Sequence, residues 1–128
     1  MVQVLVVDDT RFMRTILVNI LTEEGFEVVG EAEDGQQAVE LYLKTKPDIV
    51  LMDIIMPKMD GMMALKTILG VNPAAKVIMV TAIQSVEMAK LAFKCGALSY
   101  IIKPFQKQGI LQEIEKVLRE NELLITEW

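Results

Sequence analysis

Chemically capable side chains stand where apolar segments of this sequence end. Asp8 and Asp9 follow the first apolar run, and later runs are followed by Asp53, Thr81 and Lys103. If the runs are parallel strands, their carboxyl ends meet at one edge of a sheet, which is where open α/β sheets place their ligands. Carboxylates crowded together repel one another unless they share protons or a hard cation holds them. The pattern therefore predicts a charged site at one sheet edge.

The available side chains restrict the chemistry of that site. The chain has no histidine and a single cysteine, Cys95, so a cation would be bound by oxygen atoms. Oxygen ligands favour Mg²⁺, with Mn²⁺ as a second possibility. A lysine and a hydroxyl beside a metal-bound carboxylate can hold a phosphoryl group. We therefore expect Asp53 to attack a phosphoryl donor and form an acyl phosphate.

Each of these residues also has a simpler explanation when it is taken alone. Asp9 could cap a helix, Thr81 could be an ordinary hydroxyl at a strand end, and Lys103 could be a solvated charge. Asp60 is most simply a helix cap, and Cys95 a core residue. Their occurrence at successive strand ends is what favours a functional site.

Composition excludes several classes of protein. The absence of histidine removes Ser-His-Asp and Cys-His catalysis. The net charge of −5 disfavours a nucleic-acid surface, which needs a basic stripe. No apolar run reaches the roughly 18 residues of a membrane span. One cysteine cannot form an internal disulfide, and no secretory signal is visible, so we expect a cytoplasmic protein.

Strand and helix patterns alternate five times along the 128 residues. The apolar runs predict strands at 3–7, 28–31, 49–52, 76–80 and 98–102. Helices are expected to begin near Thr10 (or Asp9), Asp34, Asp60, Ser85 and Gln108. We expect the first helix to bury one face formed by Phe12, Ile16 and Ile20 with Met13, Leu17 and Leu21 beside them. The fourth helix should turn Met88, Leu91, Ala92 and Cys95 inward. This alternation predicts one doubly wound α/β domain over residues 1–128, with a five-stranded parallel sheet and helices on both faces.

The motifs at the strand ends resemble the receiver domains of two-component response regulators, over about residues 2–120. They are Val7-Asp8-Asp9, Met52-Asp53-Ile54-Ile55-Met56-Pro57, Met59-Asp60-Gly61, Val80-Thr81-Ala82, Gly96-Ala97 and Lys103-Pro104-Phe105. The segment from Thr10 to Arg14 is most similar to the stand-alone chemotaxis regulators of that family. The resemblance implies a flavodoxin-like sheet with strand order 2-1-3-4-5.

The same resemblance implies a role for each acidic residue. Asp53 would be phosphorylated. Asp9 and Asp53 would bind Mg²⁺ directly, and Asp8 would act through a water molecule. The main-chain carbonyl of Ile55 would be the remaining protein ligand.

Further roles concern the phosphoryl group and the response to it. Thr81 would donate its hydroxyl to the phosphoryl group, and Lys103 would pair with its oxygens. Tyr100 stands where the family has an aromatic switch residue, although it could also be an ordinary edge-strand aromatic. The changed surface would be the face of the fourth helix, the fifth strand and the fifth helix. Three residues form one helical stripe there: Glu87, Lys90 and Lys94.

The resemblance also implies partners. A histidine kinase, or a small donor such as acetyl phosphate, would supply the phosphoryl group. Output would be binding to a motor-switch protein or another output protein, and the chain would catalyse only its own phosphorylation and slow dephosphorylation. Alternatives are a receiver cut from a larger DNA-binding regulator, a hydrolase acting on outside substrates, and a flavin-binding flavodoxin analogue. Ile55 argues against the hydrolase, which usually has a second acid there.

Two expectations concern the lifetime of the signal and the end of the chain. By resemblance, Ile55 and Ile83 flank the path of water toward phosphorus. Neither side chain can orient a water molecule, so we expect slow self-dephosphorylation and a separate phosphatase. Residues 121–128 would form a frayed tail or would extend the last helix, with an apolar patch of Leu124, Ile125 and Trp128 exposed to a partner or a second copy.

Overall fold

The computed structural model describes residues 1–126 and the burial of their side chains as far as Arg119. The five strands are β1 (Gln3–Val7), β2 (Glu27–Ala32), β3 (Ile49–Met52), β4 (Val77–Thr81) and β5 (Ser99–Ile102). The five helices are α1 (Arg11–Glu23), α2 (Gly35–Thr45), α3 (Gly61–Val71), α4 (Val86–Lys94) and α5 (Lys107–Thr126). The observed strands differ from the predicted ones by at most one residue at either end.

The sheet is wholly parallel and has the strand order β2-β1-β3-β4-β5, which confirms the expected topology. Val7, the last residue of β1, pairs with Met52, the last residue of β3. The next residues along the two strands, Asp8 and Asp53, therefore leave the sheet side by side. At the other end of the same edge, the Lys103 N–H donates to the Thr81 carbonyl at 2.8 Å.

The core lies in two layers, one on each face of the sheet. Leu5, Val50 and Met52 point toward α2, α3 and α4. Val4 and Leu51 point toward α1 and α5. Because both faces of the central strands are covered, these strands are apolar at every position, which explains the unbroken apolar runs of the sequence.

Side-chain caps fix where four helices begin. Each cap accepts a hydrogen bond from the main-chain N–H three residues later, which satisfies one of the free amides of the first turn. The caps are Thr10, Asp34, Asp60 and Ser85. Thr10 caps α1 by accepting from the N–H of Met13 at 3.3 Å, so Asp9 is released from the capping role that the sequence left open.

Two expected core residues are exposed instead. Phe12 in α1 is 76% exposed, whereas Leu17 and Leu21 further along the helix are buried. The fully buried residues of α1 are Leu17, Ile20 and Leu21. In the first turn Met13 is half-buried against the core, whereas the neighbouring Phe12 faces solvent. In α4, Leu91 is 43% exposed, and Ala92 is the fully buried residue of this short helix.

The last helix, α5, buries Ile110, Ile114 and Val117 against the sheet. The proposed patch of Leu124, Ile125 and Trp128 lies outside the residues whose side chains are described, so it stays a prediction. Among the helices of the described part of the chain, none combines the length and the apolar character that crossing a membrane requires.

Candidate functional site

Three carboxylates meet at the carboxyl edge of the sheet, as the sequence predicts. Asp8, Asp9 and Asp53 each offer an oxygen atom, and these atoms all lie within 4.8 Å of one another. Asp8 and Asp53 are only 1% and 6% exposed, whereas Asp9 is exposed. The site is therefore a buried acidic pair with a third carboxylate at its mouth.

The Lys103 side chain bridges the two buried carboxylates. Its Nζ lies 2.6 Å from Asp8 Oδ2 and 2.9 Å from Asp53 Oδ2, and the lysine side chain is 15% exposed. Burial lowers the pKa of Lys103, but the hydrogen bonds that its ammonium group donates to Asp8 and Asp53, together with their negative charges, outweigh that effect, so its pKa is raised. The ammonium group therefore stays charged at neutral pH and offsets part of the repulsion between the carboxylates.

The carboxylates of Asp8 and Asp9 differ in the number of hydrogen bonds that they accept. Asp8 Oδ1 accepts hydrogen bonds from the N–H and the hydroxyl of Thr10 at 2.9 and 3.0 Å. Asp8 Oδ2 accepts from Lys103. The Asp9 carboxylate has no hydrogen-bond partner among the described residues. Asp9 is therefore the carboxylate that is free to bind a cation directly.

The loop after β3 holds Asp53 in place. Asp53 Oδ1 accepts a hydrogen bond from the Ile54 N–H at 2.6 Å and a long one from the Ile55 N–H at 3.4 Å. The N–H of Gly61 donates to the Ile54 carbonyl at 2.8 Å. A Cβ atom on Gly61 would lie 2.0 Å from the Asp53 carbonyl oxygen, so this close approach requires glycine.

Thr81 lies at the same edge but is not hydrogen-bonded to the carboxylates in the described part of the chain. It is fully buried, and its Oγ1 accepts a long hydrogen bond of 3.4 Å from the Ile83 N–H. Its hydroxyl proton is thus free for another acceptor. Tyr100 is half-buried and donates its own hydroxyl proton to the Ile83 carbonyl at 2.8 Å. Burial, followed by the negative charge of Asp53, raises the pKa of Tyr100, so its phenol remains a donor.

A surface pocket lies between Tyr100 and the first turn of α4. Its volume is about 280 Å³, and it is lined by Gln84, Ser85, Val86, Ala89, Tyr100 and Ile102. On the same helix the side chains of the expected stripe, Glu87, Lys90 and Lys94, are all exposed. A protein that binds this face can therefore reach both the stripe and the ring of Tyr100.

The donor set fits a hard divalent cation. All three clustered groups are carboxylates, which suit Mg²⁺ better than softer metals. The exposed Asp9 leaves an approach from solvent, while Lys103 supplies positive charge on the inner side. The Ile55 carbonyl belongs to the loop that follows Asp53, and its role as a ligand stays a prediction.

The sequence did not reveal two contacts of the site. One is the bridge from Lys103 to both Asp8 and Asp53, because the sequence predicted only that Lys103 pairs with a phosphoryl group. The other is Arg14, whose Nη1 donates to the Asp8 carbonyl at 2.8 Å. The sequence signals for Arg14 were its place one turn into the helix after the two acids and its membership of the Thr10–Arg14 segment, and neither predicted this contact.

The chain is similar to known proteins over most of its length. The family described as the response regulator receiver domain matches residues 4–115. The chain is 48% identical to the chemotaxis protein CheY of Listeria monocytogenes, covering 93% of this chain and 100% of that protein. It is 47% identical to CheY of Thermotoga maritima, covering 90% and 96%.

A solved structure shows the same fold. A chain in the crystal structure of the CheX–CheY–BeF3–Mg²⁺ complex from Borrelia burgdorferi superposes with a TM-score of 0.90. That chain is 38% identical, and the match covers 91% of this chain and 89% of that one. The family match over residues 4–115 includes the whole site, from Asp8 to Lys103. This protein therefore belongs to the response regulator receiver domain family.

Proposed function

We propose that this protein is a phosphorylation-activated signalling switch of a two-component pathway, in which Asp53 accepts the phosphoryl group. The observation that supports this most directly is the cluster of Asp8, Asp9 and Asp53, in which the ammonium group of Lys103 binds Asp8 and Asp53. A buried carboxylate that faces both a lysine and a cation-binding pair is suited to receive an anion. The proposal includes a cytoplasmic location.

The transfer needs no catalytic base. A carboxylate oxygen of Asp53 forms a bond to phosphorus, and the bond from phosphorus to the donor breaks. The electron pair leaves with the imidazole of a kinase histidine or with the acetate of acetyl phosphate. Lys103 then pairs with the phosphoryl oxygens, and Thr81 donates its free hydroxyl proton to them. A divalent cation bound by Asp9 and Asp53, and through water by Asp8, would neutralise negative charge on the phosphoryl group.

The response would be a shift between two conformations of the Tyr100 region. Movement of Thr81 toward the phosphoryl group would alter its contact with Ile83, the residue whose carbonyl holds Tyr100. A partner that binds the α4 and β5 face shifts this equilibrium only by its differential affinity for the two states. The signal is therefore expected to be read as partner binding.

We further propose that the pathway is chemotaxis. The support is the near-complete coverage of the CheY proteins of Listeria and Thermotoga. The CheX–CheY complex of Borrelia supports binding of a second protein by a chain of this fold. The partners that we propose are a histidine kinase, a separate phosphatase and a motor-switch or other output protein. A receiver that belongs to a longer DNA-binding regulator is the second candidate, and binding of the phosphorylated chain to a motor component would distinguish the two.

The test of phosphorylation is the intact mass of the protein after incubation with acetyl phosphate and Mg²⁺. Wild type should gain the mass of one phosphoryl group, and Asp53→Asn should gain none. Asp60→Asn is a matched control, because Asp60 is an aspartate of the same loop that only caps α3. The absence of a mass gain in wild type, or its persistence in Asp53→Asn, would contradict the proposal.

The metal is tested by stability. Binding to the folded state at a concentration about a hundredfold above the dissociation constant should stabilise the protein by roughly 2.7 kcal/mol. Asp9→Asn should lose most of that stabilisation, because Asp9 is the exposed carboxylate without a hydrogen-bond partner among the described residues. Equal melting temperatures with and without Mg²⁺ in wild type would contradict metal binding. Mn²⁺ should act in the same way.

A further inference from the structure

Arg14 reaches back from α1 to the turn that carries the two acids. Its Nη1 donates to the main-chain carbonyl of Asp8 at 2.8 Å, and its Nε donates to Glu31 Oε1 at 3.2 Å. The arginine side chain is 13% exposed, and that of Glu31 is 46% exposed. One guanidinium group thus links the end of β1 to β2.

The contact with Arg14 completes the binding of Asp8. The Asp8 N–H donates to the Ala32 carbonyl at 3.0 Å, and its carboxylate is held by Thr10 and Lys103. The carbonyl was the one remaining polar group, and it belongs to the peptide bond between Asp8 and Asp9. The orientation of that peptide sets the direction in which the Asp9 side chain leaves the main chain.

The geometry requires an arginine. Two donors of one planar group point at two acceptors on different strands, which the fixed fork of a guanidinium can satisfy. A lysine ammonium is a single point charge on a flexible stem and can replace one of the two contacts well, but not both in fixed directions.

We infer that Arg14 is a positioning residue that holds the Asp8–Asp9 turn in its cation-binding geometry and so determines the affinity for divalent metal. Glu31 holds the guanidinium in turn. The inference rests on the proposed function, since it concerns the metal site of that proposal. It assigns Arg14 no contact with the metal or the phosphoryl group.

If the role of Arg14 were purely electrostatic, its removal would change the affinity for Mg²⁺ in the opposite direction. A half-buried positive charge that contacts the main chain of Asp8 weakens the attraction of the site for a cation, so its removal alone would tighten metal binding. Loss of positioning loosens metal binding even when the charge is kept. The direction of the change in affinity therefore separates the two explanations.

The experiment compares Arg14→Lys and Arg14→Met with wild type in a titration with MgCl₂, followed by calorimetry and by amide chemical shifts of folded protein. Arg11→Lys and Arg11→Met are matched controls, because Arg11 is an exposed arginine of the same helix turn and has no ion pair among the described residues. We expect both Arg14 variants to bind Mg²⁺ roughly 10-fold more weakly, as is usual when a group that orients a metal ligand is removed. The Arg11 variants should bind within about twofold of wild type, a difference of about 0.4 kcal/mol.

Glu31→Gln provides a second variant that keeps an acceptor for Arg14. Its Mg²⁺ affinity should fall less than that of Arg14→Met. Unchanged affinity in both Arg14 variants, or tighter binding in Arg14→Met, would overturn the inference. If wild type accepts a phosphoryl group from acetyl phosphate while the Arg14 variants bind Mg²⁺ normally, only this inference fails. If wild type neither binds Mg²⁺ nor accepts the phosphoryl group, the proposed function fails.

Discussion

The hydroxyl of Tyr100 donates a hydrogen bond of 2.8 Å to the main-chain carbonyl of Ile83, which joins β5 to the loop after β4. The N–H of the same Ile83 donates to the Thr81 hydroxyl at 3.4 Å. Ile83 is therefore bound on one side by the residue expected to sense the phosphoryl group and on the other by the expected switch residue. Any displacement of Thr81 toward Asp53 acts on the backbone segment that holds the Tyr100 ring.

Removing that hydroxyl should uncouple phosphorylation from the response. Tyr100→Phe keeps the ring but loses the hydrogen bond, which costs about 0.5–1.5 kcal/mol of unfolding free energy. We expect normal mass gain with acetyl phosphate, but smaller changes in the amide chemical shifts of Glu87, Lys90 and Lys94. Tyr42→Phe is the control, because the Tyr42 hydroxyl also has one hydrogen bond, from Asn72 in a different part of the fold. Equal shift changes in wild type and Tyr100→Phe would contradict the coupling.

Lys103 should compete with metal for the carboxylates. In Lys103→Met, Asp8 and Asp53 lose their common ammonium partner, and breaking a buried pair costs about 3–5 kcal/mol. Without Mg²⁺ the variant should be strongly destabilised. Because the carboxylates then attract a cation more strongly, Mg²⁺ should raise its melting temperature by more than that of wild type.

The same variant should phosphorylate slowly. Lys103 would stabilise the negative charge on the phosphoryl group in the transition state. Its loss is expected to reduce the rate of phosphorylation by roughly 100-fold. Lys107→Met is a control for charge, because Lys107, at the start of α5, pairs among the described residues only with exposed acids such as Glu23 at the end of α1. If Mg²⁺ stabilises wild type and Lys103→Met equally, Lys103 does not compete with the metal.

Two glycines at opposite ends of α3 should respond to alanine in opposite directions. In Gly61→Ala the new Cβ would lie 2.0 Å from the Asp53 carbonyl oxygen, so the backbone beside Asp53 must shift, at a cost of about 1–3 kcal/mol. In Gly70→Ala nothing lies within 4 Å of the new atom, and helix propensity should stabilise the protein by about 0.5–1 kcal/mol. Urea unfolding measures both. Destabilisation by Gly70→Ala of the same size as by Gly61→Ala would contradict this reading.

The sequence predicted the location of the site but not its internal contacts. Parallel strands bring the residues after their last positions to one edge, so Asp8 and Asp53 could be placed at the same edge from the sequence pattern. That β1 and β3 are neighbours in the sheet was implied only by the family resemblance. The partner of Lys103 depends on the conformation of a long side chain. In the same way, the reach of Arg14 to the Asp8 carbonyl depends on the packing of α1 against β2. Phe12 shows a further limit, since helical periodicity identifies an apolar face but does not tell how much of that face the neighbouring elements cover.

The lifetime of the acyl phosphate is expected to depend on Ile55 and Ile83. Ile55 is 60% exposed, and Ile83 is half-buried at the edge of the core, so neither change removes a fully buried side chain. The contacts of Ile83 with Thr81 and Tyr100 use its main chain, so a new side chain there keeps them. Polar groups at these positions could orient the attacking water, which the two isoleucines cannot do.

We expect the double variant Ile55→Asn with Ile83→Glu to lose its phosphoryl group about 10–100-fold faster than wild type, a difference of about 1.4–2.8 kcal/mol in barrier. The measurement is the decay of phosphorylated protein in Mg²⁺ after the donor is removed. Leu43→Asn is the control, because Leu43 is 49% exposed in α2 and lies outside the site. Its decay should match wild type, since it adds an exposed polar group without access to phosphorus. If the double variant also decays at the wild-type rate, these two side chains do not control the approach of water, and the slow step must be sought in the contacts of Lys103 and Thr81 instead.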